Sequence, residues 1–196
     1  NYKYSIAVSG THGKTTTTSM LSYILIDADT DPTISVGGIL DSIGGNIRVG
    51  KSEYFVTEAC EYTNSYHAFK PFISIILNVD ADHLDFFKDI DEIAESFHVF
   101  ATKTPKEGLV IVNGDMEYYD TVVRDLECRI VTFGKGTQNK YSAHNIRFDD
   151  LGHPTYTLVV DGKEVTDITL RVFGEHNVYN SLSAIAAALE LSLIHI

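Results

Sequence analysis

The sequence predicts an α/β fold: a P-loop-type, mostly parallel sheet flanked by helices, with a small antiparallel sheet appended near the C-terminal end. Three observations predict it. Short apolar runs alternate with helix-period segments as far as residue 133, the pattern of successive βα units. Residues 72–79 are almost continuously apolar, which suits a parallel strand covered on both faces. From Tyr141 the texture changes to runs at 141–148, 155–160 and 165–172. Turn signals separate them, one being Asp161-Gly162-Lys163, in which Asp-Gly marks a hairpin.

The first unit carries the most informative stretch. Residues 4–8 read as a buried strand and residues 14–26 as a helix, joined through Ser9-Gly10-Thr11-His12-Gly13-Lys14-Thr15-Thr16. Strand, glycine-rich turn, Gly-Lys-Thr and helix are the layout of a phosphate-binding loop. Glycines let the backbone curl so that several N–H groups face inward, and the helix N-terminus adds partial positive charge. Lys14 can reach β- and γ-phosphates, and the Thr15 hydroxyl can ligate Mg²⁺. The usual spacing, Gly-x-x-x-x-Gly-Lys-Ser/Thr, would put its first glycine at Val8. This chain has Gly10 instead, a tighter loop. The candidate phosphate-binding residues are Gly10, Thr11, His12, Gly13, Lys14, Thr15 and Thr16.

The remaining elements follow in order. Residues 27–32 form a polar loop with a proline stop, 33–36 a short strand ending at Gly37-Gly38, and 39–51 a glycine-containing loop with room for a hairpin. Residues 53–57 read as a strand with Glu58 at its end, and 64–69 as a short helix stopped by Pro71. After the strand at 72–79 comes Asp80-Ala81-Asp82-His83-Leu84-Asp85. Ile90, Ile93, Ala94, Phe97 and Phe100 fall at helical spacing within 89–102. A strand at 108–112, a helix marked by Met116, Tyr119, Val122, Val123 and Leu126, and a strand at 129–133 complete the alternating part. The last helix, from Val178 to about Leu193, follows Phe173-Gly174-Glu175-His176-Asn177.

Composition bounds the function. A chain of 196 residues suits one domain, or one domain plus a small lobe. The net charge of −12, without any Lys/Arg block, argues against nucleic acid or an anionic membrane as partner. A polyphosphate must then be held by local geometry and metal. Cys60 and Cys128 form no metal spacing or disulfide framework, which fits a reducing cytoplasm. No apolar run reaches the length of a membrane span, and no signal peptide is visible. Asn1 and the uncapped end at 191–196 read as cut, so the expectation is a piece of a longer protein.

In open parallel sheets, ligands bind at the carboxyl ends of the strands. The glycine-rich loop, Glu58 and His83 all fall at such ends and can converge. Glu58 can hold Mg²⁺ directly or through water; it can equally be a solvated carboxylate at a loop edge. His83, among Asp80, Asp82 and Asp85, reads either as a metal ligand that a carboxylate orients or as part of a surface acidic turn. Mg²⁺ ordinarily prefers oxygen, so a histidine ligand needs a special reason.

Four ordered motifs carry a resemblance that covers essentially the whole chain. Gly10-Thr11-His12-Gly13-Lys14-Thr15-Thr16, Glu58-Ala59-Cys60-Glu61, Asn78-Val79-Asp80-Ala81-Asp82-His83-Leu84-Asp85 and Gly174-Glu175-His176-Asn177-Val178-Tyr179-Asn180 are similar to those of the Mur ligase family. The resemblance implies the central ATP-binding domain, residues 1–196, of an ATP-dependent amide ligase of peptidoglycan synthesis, without the family's N-terminal UDP-binding and C-terminal amino-acid domains. The motifs most resemble the alanine-adding branch, which implies UDP-N-acetylmuramate and L-alanine as substrates of the full-length enzyme. It further implies that Lys14 and the loop backbone hold the ATP phosphates. Thr15 and Glu58 would bind one Mg²⁺, and His83 a second. Asn177 or Asn180 would contact the adenine, with His176 nearby. Lys14 and His83 are the implied catalytic residues.

Departures from the pattern are informative. His98 stands where several members of the family carry a carbamylated lysine; the alanine-adding branch is similar in lacking that lysine, and His98 reads as a packed core or boundary histidine. Phe173-Gly174 stands where Pro-Gly is common. Competing readings are another Mur-type or folylpolyglutamate-type ligase, and a P-loop GTPase-like switch. The last has only a formal Asp41-Ser42-Ile43-Gly44, and Asn139-Lys140 runs into Tyr141-Ser142 rather than a guanine motif. Cys60 reads as a small buried thiol. Tyr62, Tyr66 and His67 read as lining a sugar side or packing under their loop, and His144, His153 and His195 as surface residues.

Overall fold

The structure, a computed structural model, describes residues 2–82 and 84–192. In chain order the elements are β1 (Tyr4–Ser9), α1 (Lys14–Asp27), β2 (Thr33–Leu40), β3 (Gly45–Arg48), β4 (Tyr54–Glu58), β5 (Ile73–Ile76), α2 (Ile90–Ala101), β6 (Leu109–Asn113), α3 (Tyr119–Val123), β7 (Arg129–Gly134), β8 (Tyr141–Phe148), β9 (Pro154–Val160), β10 (Lys163–Thr169) and α4 (His176–Glu190). Among the described residues the strands form one sheet, in the order β10-β9-β8-β7-β6-β5-β1-β4-β2-β3. From β2 to β8 the neighbours run parallel; β3 at one end, and β9 and β10 at the other, are antiparallel.

The two-residue strand period builds two cores. Ile6 and Val8 of β1, with Ile73 and Ile75 of β5, turn to the face covered by α1 and α4, meeting Leu21, Leu25 and Leu182. Ala7 and Ile76 turn to the other face, with Val110 and Val112, against Phe97 and Phe100 of α2 and Val122 of α3. Coverage of both faces is why these strands are apolar throughout. Asp89 caps α2 by accepting from the Glu92 N–H at 3.0 Å.

Several boundaries differ from the sequence expectation for identifiable reasons. β2 does not stop at Val36 but continues through Gly37-Gly38 to Leu40, and returns as β3. The hairpin for which 39–51 had room is therefore real, with Asp41–Ile43 as its 3₁₀ turn. The run at 72–79 supplies only four strand residues, because beyond Ile76 the chain leaves the sheet to brace the glycine-rich loop. Residues Tyr62–Ala68 wind as 3₁₀ turns rather than one helix, since Thr63 and Asn64 adopt left-handed φ of 57° and 54°. α3 ends at Val123, shortly before Asp125 takes φ 55°.

The antiparallel part joins through a short parallel contact, Phe133↔Tyr141 and Gly134↔Ser142. Its Asp161-Gly162 turn has positive φ at both positions, 49° and 74°, as an Asp-Gly two-residue hairpin requires. Glu190, at the end of α4, clasps this junction. Its carboxylate lies 2.8 Å from Lys140 Nζ, 2.7 Å from Arg129, and accepts from the Tyr141 hydroxyl at 2.7 Å. Burial alone would raise its pKa, but the hydrogen bonds from Lys140 and Tyr141 and the Arg129 charge outweigh burial and hold it below the ordinary value. A depressed folded-state pKa stabilises above the unfolded value and is lost as pH falls through the folded one. Urea midpoints from pH 7 down to pH 3 will therefore fall more steeply in the wild type than in Glu190→Gln; parallel curves would refute the clasp. Among the described residues no helix is long and apolar enough to cross a membrane.

Candidate active site

The glycine-rich loop leaves the carboxyl end of β1 and closes on the first turn of α1. Two glycines are dictated by geometry. Gly10 has φ 146°, and a Cβ there would lie 2.9 Å from Leu77 Cβ. Gly13 has φ 86°, and a Cβ there would lie 2.5 Å from Asn180 Oδ1. Gly13 is also the N-cap of α1, with no side chain capping the helix. The first-turn N–H groups, which have no acceptor within the helix, are thus left facing the loop mouth, where an anion can take them.

The loop is braced by the chain after β5. The Asn78 side chain accepts from the His12 N–H at 2.8 Å and donates to the His12 carbonyl at 3.0 Å. The Thr11 hydroxyl accepts from the Asp80 N–H at 2.9 Å and donates to its carbonyl at 3.3 Å. A loop fixed before a ligand arrives loses little ordering entropy on binding.

Thr15 and Glu58, 43 residues apart, meet at the mouth. The Thr15 hydroxyl donates to Glu58 Oε2 at 3.1 Å, and Oε1 accepts from the Gly37 N–H at 2.5 Å. A hydroxyl and a carboxylate oxygen side by side, beside helix N–H groups, are the donor types Mg²⁺ takes when phosphate completes its shell. Lys14 folds back over the loop. Its Nζ lies 2.6 Å from the Gly10 carbonyl, 3.2 Å from that of Thr11, and 3.0 and 3.1 Å from the two carboxylate oxygens of Glu61. Thr16 lies in the first turn of α1.

Between this loop and α4 lies a cleft of about 370 Å³. His12 and Gly13 form one wall, and His176, Tyr179 and Asn180 of α4 the other. Asn113 and Phe133, at the carboxyl ends of β6 and β7, close the floor. The Tyr179 hydroxyl donates to Glu175 at 3.0 Å, and burial is the main cause pushing its pKa to about 12, so the phenol is neutral at physiological pH.

The Mur ligase middle-domain family model matches residues 8–188. The chain belongs to that family. It is similar to the UDP-N-acetylmuramate--L-alanine ligase of Lachnospira eligens, 56% identical over 193 residues, which are 98% of this chain and 42% of that protein. The enzyme of the same name from Agathobacter rectalis is 53% identical over 98% of this chain and 42% of its own length. Among solved structures, UDP-N-acetylmuramate-alanine ligase MurC from Thermotoga maritima superposes with a TM-score of 0.82 at 30% identity, covering 97% of this chain and 42% of that one. The chain thus spans about 42% of the length of these two curated relatives.

In this Mur ligase middle domain the structure brings Gly10, Thr11, His12, Gly13, Lys14, Thr15, Thr16 and Glu58 together, with His176 and Asn180 across the cleft. Asn177 does not line the cleft. It is buried, donates to the Phe173 carbonyl at 2.9 Å, and accepts from Asn180 at 2.9 Å, so it orients its neighbour. His83 and His195 lie outside the described residues. His98 binds the Val122 carbonyl at 3.2 Å between α2 and α3. Cys60, expected to be buried, is exposed, because the chain turns out of the sheet after the buried Ala59. Tyr66 packs, fully buried, against Phe97 and Phe100, and the exposed Tyr62 donates to Asp85 at 3.0 Å. His153 is half-buried against Asp149 and Phe173 rather than free on the surface. Asp41-Ser42-Ile43-Gly44 lies in the edge hairpin.

Sequence reasoning missed roles for Glu61, Asn78, Asn113, Phe133 and Tyr179. Asn113 and Phe133 obey the same strand-end rule that found Glu58 and could have been found by it. Tyr179 follows His176 by three residues, one helical turn, and so shares its face. Glu61 is linked to Lys14 by tertiary folding alone.

Proposed function

We propose that this chain is the ATP-binding domain, residues 1–196, of a cytoplasmic ligase of peptidoglycan synthesis that joins L-alanine to UDP-N-acetylmuramate at the expense of ATP. The observation that carries the reading is the meeting of Thr15 with Glu58 at the N-terminus of α1, with Lys14 folded over the same loop. The relatives named UDP-N-acetylmuramate--L-alanine ligase support the choice of substrates. The UDP-binding and amino-acid domains of such an enzyme would lie outside these 196 residues.

The reaction must make an amide from a carboxylate, a poor acyl donor. A muramoyl carboxylate oxygen attacks the γ-phosphorus of ATP. The bond to the β,γ-bridging oxygen breaks and ADP leaves with the electron pair. The alanine amine then attacks the acyl carbon, and the resulting tetrahedral intermediate expels inorganic phosphate as the amide forms. Two anions must approach in the first step, in a chain of net charge −12. Thr15 and Glu58 would hold Mg²⁺, which would supply charge neutralisation there. The first-turn N–H groups of α1 would meet the phosphates, and the Lys14 ammonium, once drawn from its contacts on the loop, would join them in stabilising charge as it moves to the leaving oxygen. His176, Tyr179 and Asn180 offer a largely apolar slot for the adenine, with Asn177 fixing Asn180. His83 is assigned to a second metal and to catalysis by family resemblance.

The test is made on the full-length enzyme, with UDP-N-acetylmuramate and a panel of amino acids. Release of phosphate will require both UDP-N-acetylmuramate and L-alanine, with ATP preferred over GTP. Turnover with glutamate or a tripeptide and none with alanine would exclude this member of the family; preference for GTP would exclude the ligase.

A further inference from the structure

The lysine that should meet phosphate is already engaged. An ammonium has three N–H donors. Those of Lys14 are spent on the Gly10 and Thr11 carbonyls and the Glu61 carboxylate, leaving none for a ligand. The Glu61 side chain is 2% exposed, against 17% for that of Lys14. A carboxylate so buried is costly to leave without its counter-charge. The segment carrying Glu61 is itself held rigidly. The Glu61 carbonyl accepts from the Asn64 N–H at 2.9 Å. Asn64, in its left-handed conformation, accepts from Ser96 Oγ at 2.5 Å, and that hydroxyl also pairs with the buried Tyr66 at 2.7 Å. Glu61 therefore cannot follow the lysine outward by a loop movement that leaves these contacts intact.

We infer that Glu61 is a positioning residue that holds Lys14 folded on the loop and competes with polyphosphate for it. The inference rests on reading this loop as a nucleotide site. A nucleotide with a β-phosphate must draw Lys14 from Glu61 or share it; a nucleoside monophosphate has no phosphate at that depth and need not. Glu61 thus raises the threshold for engaging the lysine, so that it responds to a metal-bound polyphosphate rather than to stray phosphate.

Glu61→Gln keeps the side chain's shape and an oxygen for the Lys14 hydrogen bond, while removing the charge. Titration calorimetry on this chain will show Mg-ADP and Mg-AMPPNP binding roughly tenfold tighter to the variant, as expected when one buried charge pair no longer competes. AMP will bind within about twofold of the wild type, because it does not compete for Lys14. In a Lys14→Met background the gain from Glu61→Gln will vanish, since the residue acts through the lysine. A gain that persists there assigns the effect to the general field of the carboxylate and overturns the inference, as does an unchanged or weaker affinity in the single variant. A second measurement needs no substitution at Glu61. In the wild type, the ¹⁵Nζ ammonium resonance of Lys14 will be observable in the free chain, as for a hydrogen-bonded, water-protected group, and will shift with Mg-ADP but not with AMP. A resonance averaged like a solvated lysine overturns the inference. Wild-type chain that is folded yet binds none of these nucleotides overturns the functional reading, and the inference with it; nucleotide binding without the Glu61 effect overturns the inference alone.

Discussion

Lys14→Met will lower turnover of the full-length enzyme by roughly 10³-fold, the scale for deleting one preorganised charge donor at a reacting group. It will also destabilise the domain. Glu61, 1% exposed, would lose its lysine, and removing one charged partner from a buried carboxylate costs about 3 kcal/mol. The lower end of the usual range applies, because the lysine sits on the partly solvated side of the pair and water can reach the face it leaves. Adding Glu61→Gln to Lys14→Met will restore most of that stability and none of the turnover. Urea unfolding read beside phosphate release separates the two roles. A double variant as unstable as the single one would show that the pair is not what holds this part of the loop.

Gly13→Ala has the second-largest expected effect. Its φ of 86° is left-handed, which costs an alanine about 1–2 kcal/mol. The new Cβ would lie 2.5 Å from Asn180 Oδ1, and Asn180 cannot swing away freely because it is buried and hydrogen-bonded to Asn177. The melting temperature will drop, and Mg-ADP affinity will fall more than about tenfold, because the first-turn N–H groups move with the loop. Adding Asn180→Ala will recover the steric part of the stability loss. It will not recover affinity, since Asn180 is itself a wall of the cleft. Full recovery of binding by the second change would mean that neither the Gly13 conformation nor Asn180 serves the nucleotide.

The alternating strands and helices were legible because each element carries its own period. Ile6 and Val8 on one face with Ala7 on the other, and Ile93, Ala94, Phe97 and Phe100 along α2, state their burial locally. The meeting of Thr15 with Glu58 was legible too, since a parallel sheet brings its strand ends together whatever their separation in sequence. What stayed hidden depends on partners far along the chain. Gly37-Gly38 read as a strand terminus, yet Gly37 continues β2 and spends its N–H on the Glu58 carboxylate. The left-handed φ of Thr63 runs against the preference of a β-branched residue, so nothing in the local sequence announces it. Glu61 stood within a recognised motif, but its pairing with Lys14, 47 residues away, is a tertiary contact that no local pattern announces.

The central claim is that Lys14, Thr15 and Glu58 form one phosphate–metal site on the α1 N-terminus. Titration calorimetry of AMPPNP into the 196-residue chain, with and without Mg²⁺, in the wild type and in Thr15→Val and Glu58→Gln, tests it most directly. The account predicts one nucleotide per chain, a Mg²⁺-dependent affinity in the wild type, and loss of that dependence in both variants while the chains remain folded by circular dichroism. Folded wild-type chain that takes up no nucleotide, or variants that keep the full Mg²⁺ dependence, would contradict it.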